Sequence, residues 1–205
     1  MTSEHLTIGV LAVQGAFEAH AQVLRSLGVN APLVRLPEDL ASLDGLILPG
    51  GESTTFLKHL ERNNFFAALD TFVRQKPSFG TCAGTILLAK DVRNPVQKSL
   101  AVLDATVERN AYGRQIDSTI QETETTLPGG PMEMVYIRAP RIAAVGNDVE
   151  VLARRNGDPV LVREGRILAA TFHPELSTDR RVHEFFVEMV RREKLAHSAT
   201  EAHAG

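Results

Sequence analysis

Short apolar runs alternate with segments of helical period through the first half of the chain. Residues 7–15, "TIGVLAVQG", read as a buried strand, and residues 17–28, "FEAHAQVLRSLG", as a helix closed by Gly28. "APLVRL" predicts a second strand and "PEDLASL" a short helical stretch. "GLILPGG" predicts a third strand, and "STTFLKHLERNNFFAALDTFVRQ" one long helix or two shorter ones. "PSFGTC" predicts a fourth strand, running into a helix over "AGTILLAKD". Strands that alternate with helices imply a three-layer α/β fold, a mostly parallel sheet with helices on both faces.

The second half is different. "LAVLDATVERNAYG", "MEMVYIRAP" and "PVLVREGRILAATFHP" predict strands with few helices between them, with "REGR" as a hairpin turn, so an antiparallel extension of the sheet is expected. The helical period returns in "DRRVHEFFVEMVRREKL", apolar at Val182, Phe185, Phe186, Met189 and Val190. Residues 196–205 are small and polar and read as a frayed tail. No repeat or linker divides the 205 residues, so 1–205 is read as a single domain.

Charge narrows the function. A net charge of -3 with scattered Lys and Arg gives no footprint for nucleic acid. No stretch approaches the roughly 18–20 apolar residues that span a bilayer, and the N-terminus lacks a secretory pattern. A single cysteine excludes an internal disulfide and the short cysteine metal motifs, so no metal is expected and a reduced, cytoplasmic setting fits.

That cysteine, Cys82, lies in "FGTCAG", where a strand meets a helix. Taken alone it is either a buried filler or a nucleophile on a tight strand-to-helix elbow, with Gly80, Ala83 and Gly84 as its small neighbours. A thiolate nucleophile needs a base. Of the seven histidines, His173 in "ATFHPELS" stands out: it ends an apolar strand, and Glu175, two residues on, projects to the same side in extended structure. There a carboxylate fixes the imidazole tautomer, the role of the third member of a triad. "LILPGGESTT" sets two glycines between a strand and a helix, a source of backbone N–H donors for an oxyanion, with Ser53 or Thr54 as helix cap. Neither phosphate-loop pattern is present.

Together the "PGG" loop, the G-x-C-x-G elbow and the late H-P-E resemble the class I, triad-type glutamine amidotransferases, whose fold is flavodoxin-like. "VLAVQGAFEAH", "LILPGGESTT", "FGTCAGTILLAK", "VERNAYGRQ", "YIRAP" and "TFHPELSTD" are similar to one branch, the glutaminase subunits of pyridoxal 5'-phosphate synthase, over almost the whole chain. The resemblance implies hydrolysis of L-glutamine by Cys82 as nucleophile, His173 as base and acid, and Glu175 as its orienting group. It implies glutamine binding by Gly51, Glu52, Ser53, Arg109, Ile137 and Arg138, and an oxyanion hole from the amides near Gly51 and Ala83. Gln14 is a candidate for coupling to a partner. No cofactor is implied for this half-reaction. The implied partner is a (β/α)8-barrel synthase subunit, in a hetero-oligomer, that receives the ammonia. Thr85 departs from the family pattern, where a bulkier apolar residue is usual. The competing readings are the glutaminase subunit of another synthase, such as the one making imidazole glycerol phosphate, a γ-glutamyl hydrolase or cysteine peptidase, and a non-enzymatic scaffold.

Overall fold

The computed structural model describes residues 5–111 and 118–204. Twelve strands run in chain order: β1 (Ile8–Leu11), β2 (Leu33–Val34), β3 (Gly45–Leu48), β4 (Ser78–Thr81), β5 (Ala89–Arg93), β6 (Leu103–Glu108), β7 (Ser118–Thr123), β8 (Met132–Ile137), β9 (Arg141–Val145), β10 (Glu150–Arg155), β11 (Asp158–Glu164) and β12 (Ile167–Ala170). The helices are α1 (Phe17–Ser26), α2 (Ser53–Leu60), α3 (Phe65–Gln75), α4 (Ala83–Leu88) and α5 (Arg181–Ala204).

Seven strands form the main sheet in the order β10-β11-β12-β4-β3-β1-β2. The five from β12 to β2 are parallel, and β10 and β11 extend them antiparallel. Side chains leave a strand on alternate faces, so each apolar run feeds two cores. Leu46 and Leu48 of β3, with Ile167 and Ala169 of β12, pack with Phe56, Leu69 and Leu87 of α2, α3 and α4. Ile47 of β3, with Leu168 and Ala170 of β12, packs with Leu24 of α1 and Phe186 of α5. The three-layer fold is the expected one.

The second half departs from expectation in its details. Instead of one extension there are also two small sheets, β5-β6-β9 and β7-β8. The "AKD" read as the end of a helix begins β5, because α4 stops at Leu88. Helix α5 continues to Ala204, through residues expected to fray. Residues 112–117, which take in the end of the "VERNAYGRQ" segment, lie outside the described residues.

The site lies at the carboxyl ends of β3, β4 and β12, where open parallel sheets bind ligands. Here the chain is glycine-rich because elements touch. A Cβ on Gly84 would lie 1.9 Å from the Leu48 carbonyl oxygen, and one on Gly80 would lie 2.6 Å from the Gly84 carbonyl carbon. Strand β4 and helix α4 therefore meet at backbone contact. Thr85 is buried behind this turn, its hydroxyl within hydrogen-bond distance of the Gly80 and Ala170 carbonyls at 3.0 and 2.6 Å. The unusual threonine thus ties the elbow to the neighbouring strand, where an apolar side chain would only fill space.

Candidate active site

Cys82 occupies the corner between β4 and α4 with φ 49° and ψ -106°, a conformation that L-residues rarely adopt. Such strain costs on the order of 1–3 kcal/mol and persists where the surroundings over-determine it. Here they do: the Cys82 N–H donates to the Ala170 carbonyl at 2.9 Å, and the Cys82 carbonyl accepts from the Ile86 N–H at 3.2 Å. The flanking glycines do not carry the turn by positive φ themselves; the cysteine does, and they supply room for it.

His173 follows β12, the strand beside β4, and its N–H is anchored to the Val135 carbonyl of β8 at 2.8 Å. Its Nδ1 lies 2.7 Å from Glu175 Oε1. The expected pair is present, but the geometry that forms it is a 3-10 turn over Pro174–Leu176 in place of extended chain. Burial pushes the His173 imidazole down, yet hydrogen bonds and charge from Cys82 and Glu175 outweigh it and raise its pKa to about 10. With Nδ1 committed to Glu175, the other ring nitrogen is the one available to Cys82. Burial favours a proton on Glu175, but the electrostatic pull of the adjacent His20 and the hydrogen bond from His173 hold its carboxyl below the usual range.

Gly50 closes this arrangement. A Cβ there would lie 2.6 Å from His173 Cε1 and 3.2 Å from Cys82 Cβ. Gly50→Ala must displace the ring, and since a misplacement near 1 Å can cost about 10²-fold, a fall in kcat of that order is expected. Steady-state kinetics on glutamine, with a melting curve to show that the fold persists, checks it.

The pocket beside these residues has a volume of about 250 Å³ and is lined by Gly51, Glu52, Ser53, Cys82, Ile86, Arg109, Asn110, Ile137, Arg138 and His173. It falls below the roughly 300–1,000 Å³ of drug-sized sites, which suits one amino acid. The sequence-predicted residues Gly51, Glu52, Ser53, Arg109, Ile137 and Arg138 all reach it. The Glu52 carboxylate also caps α2, accepting from the Thr54 and Thr55 N–H groups at 3.0 and 2.8 Å. Arg109, whose side chain is 13% exposed, donates to Thr54 Oγ1 at 2.9 Å and lies 3.9 Å from Glu52. Ser53 is buried and donates to Gln97 Oε1 at 3.0 Å. Ala83, the first residue of α4, has a backbone N–H with no intrahelical acceptor. Gln14 donates from Nε2 to the Glu52 carbonyl and covers Gly51, so it joins the loop after β1 to the loop after β3.

Sequence reasoning did not single out Ile86, Asn110 or His20, and it read Gly50 only as one of two glycines supplying backbone donors. The helical period sets His20 on the buried face of α1, four positions before Leu24, but does not report its partners. A cleft of about 330 Å³ lies at the opposite, amino end of β4 and β12, lined by Pro77, Gly165, Arg166 and α5 residues, and it holds no nucleophile.

The SNO glutamine amidotransferase family matches residues 10–192, nearly the whole described sheet and its helices. The chain belongs to that family. A pyridoxal 5'-phosphate synthase subunit PdxT from Koribacter versatilis is 62% identical over 186 residues, covering 91% of this chain and 96% of the relative. The PdxT of Thermotoga neapolitana is 52% identical, covering 91% and 100%. A crystal structure of a glutamine amidotransferase superposes with a TM-score of 0.83 at 46% identity, over 89% of this chain and 98% of the other. A glutamine amidotransferase from Thermotoga maritima, at 15% identity, aligns with a TM-score of 0.58 over 93% of this chain and 86% of its own, which speaks to the fold alone. The family's glutamine chemistry thus meets a site whose cysteine, histidine and glutamate are already adjacent.

Proposed function

We propose that the chain is the glutaminase subunit of a pyridoxal 5'-phosphate synthase, with Cys82, His173 and Glu175 as its catalytic triad. The observation that carries the reading is the strained, buried Cys82 beside an imidazole hydrogen-bonded to a buried carboxylate, at one end of a pocket sized for an amino acid.

The Cys82 thiolate attacks the side-chain amide carbon of glutamine, forming the C–S bond as the carbonyl π electrons move to oxygen. The N–H groups of Gly51 and Ala83 receive that oxyanion. His173 gives its proton to the amide nitrogen, the C–N bond breaks and ammonia leaves. Water, deprotonated by the same imidazole, adds to the thioester carbon, and collapse expels the thiolate and L-glutamate. Arg109 and Arg138, with the backbone of Ile137 and the loop of Gly51, Glu52 and Ser53, hold the amino acid; an arginine pairs with the α-carboxylate. A lone thiolate nucleophile suits a reducing compartment such as the cytoplasm.

Ammonia released into neutral water becomes ammonium and stops being a nucleophile, so a synthase that captures it directly is required. We place that synthase, a (β/α)8 barrel in a hetero-oligomer, against the face that carries Gln14, through which docking would reach Gly51. Ammonia and glutamate release from glutamine is therefore expected to rise when the synthase subunit is added. An equal rate with and without it overturns the subunit assignment.

A further inference from the structure

Behind the triad the carboxylate of Glu175 has a second side. Its Oε1 is taken by His173, while Oε2 is buried and accepts no aligned hydrogen bond among the described residues. Such an oxygen favours protonation of the carboxyl, and a neutral Glu175 could not support the His173 imidazolium. Opposite it stands His20 of α1, fully buried, with Nε2 at 3.2 Å from Glu175 Oε2 and 3.2 Å from Thr81 Oγ1. Its Nδ1 lies 2.9 Å from Nε2 of the buried His183 of α5.

These contacts fix the tautomers. A lone pair on His20 Nε2 would face the carboxylate oxygen, so Nε2 carries the proton, which Thr81 Oγ1 accepts with Glu175 Oε2 beside it. In a neutral ring Nδ1 is then an acceptor, and it must receive the Nε2–H of His183. His183 Nδ1 is left as a bare acceptor, and it has no partner among the described residues. The opposite assignment would strand a buried N–H on His183 and set two lone pairs against each other. Burial lowers the pKa of both histidines, which keeps them neutral: on His20 it outweighs the opposing pull of Glu175, and on His183 the closeness of His20 disfavours a second proton further. The groups facing His20 are Glu175 from the turn after β12, Thr81 from β4 and His183 from α5, with the charge of His173 felt beyond Glu175; the Phe79 ring packs edge-on, 6.4 Å between centroids.

We propose that His20 is a positioning residue: a neutral ring, kept with its proton on Nε2 by His183 and anchored at Thr81, whose positive Nε2–H edge lies 3.2 Å from Glu175 Oε2 and holds that carboxylate ionised and aimed at His173. The proposal rests on the triad reading above, but its test does not need glutamine. Because Cys82 is the sole cysteine, the rate of its alkylation by iodoacetamide against pH reads the Cys82–His173 pair directly in the full chain. Asparagine at position 20 sets its amide near the Nδ1 place, toward His183, and falls short of Glu175. Glutamine sets its amide N–H near the Nε2 place.

His20→Asn is expected to move the acid limb of the alkylation profile up by about one pH unit, a tenfold change in protonation equilibrium, because Glu175 then takes its proton at higher pH. His20→Gln is expected to keep the wild-type profile. An unmoved profile in His20→Asn, or equal displacement in both variants, overturns the proposal. If His20→Asn does not fold, ¹⁵N NMR of the wild-type histidines decides: a neutral His20 with its proton on Nε2 at neutral pH supports the assignment, and an imidazolium or an Nδ1–H tautomer overturns it. Loss of glutaminase activity in all forms with an intact alkylation contrast would instead count against the proposed reaction alone.

Discussion

Cys82→Ala is expected to lower glutamine hydrolysis by about 10⁵–10⁶-fold, the order seen when the nucleophile of a triad is removed. Nothing else in the pocket can replace the thiolate: Ser53 points its hydroxyl at Gln97, and no other cysteine exists. The residual rate would come from binding and backbone donors alone, since the amides near Gly51 and Ala83 are untouched. The backbone at position 82 is also unrelieved, because alanine meets the same strain as cysteine at positive φ. Melting behaviour near that of wild type is therefore expected alongside the loss of activity. Ammonia release measured with the synthase subunit present, and iodoacetamide incorporation falling from one equivalent to none, check both halves. Retained activity in Cys82→Ala sinks the mechanism.

Much of the site was legible because its parts are local. A strand-to-helix elbow, a "PGG" loop and an H-P-E run each announce themselves within a few residues, and the parallel fold places their ends together. The reasons were less legible than the residues. Glu175 reaches His173 through a 3-10 turn, since Pro174 ends the extended chain, and Gly80 and Gly84 are small because β4, α4 and β3 touch. His20 was invisible as a site residue because its partners lie 61, 155 and 163 positions away, at Thr81, Glu175 and His183. No local period reports such a contact. Strand β7 escaped for the opposite reason: "STIQET" is mostly exposed and has no apolar alternation, so pairing with β8 alone makes it a strand. Helix α5 outran its apolar stripe, for past Val190 few positions are apolar and nothing in the pattern marks a continuing turn.

The carboxylate is where fold and chemistry are most tightly joined, and Glu175→Gln is expected to cost about 10⁴-fold in kcat, the effect of turning the third triad member into an amide. The amide keeps the shape but not the charge, so it cannot support the imidazolium that His173 must be when ammonia departs. It also presents its oxygen to one of His173 and His20 and its NH₂ to the other, where the carboxylate offers each an oxygen. One of them must meet a donor. The wild-type imidazole, raised to about 10, stays protonated across neutral pH; without Glu175 the alkaline limb of kcat is expected to move down toward the ordinary 6.5.

Stability follows the same groups with a definite sign. A folded-state pKa above the unfolded one means that the His173 contribution is complete below about 6.5 and is lost as pH rises through about 10. Glu175, whose carboxyl is held below its ordinary 4.5, contributes above that value and less as pH falls. The two overlap between about pH 4.5 and 6.5. The gap in melting temperature between wild type and Glu175→Gln is thus expected to be widest in that window and to close as pH rises through about 10. A gap that is constant across this range would mean that Glu175 acts by packing, without its charge.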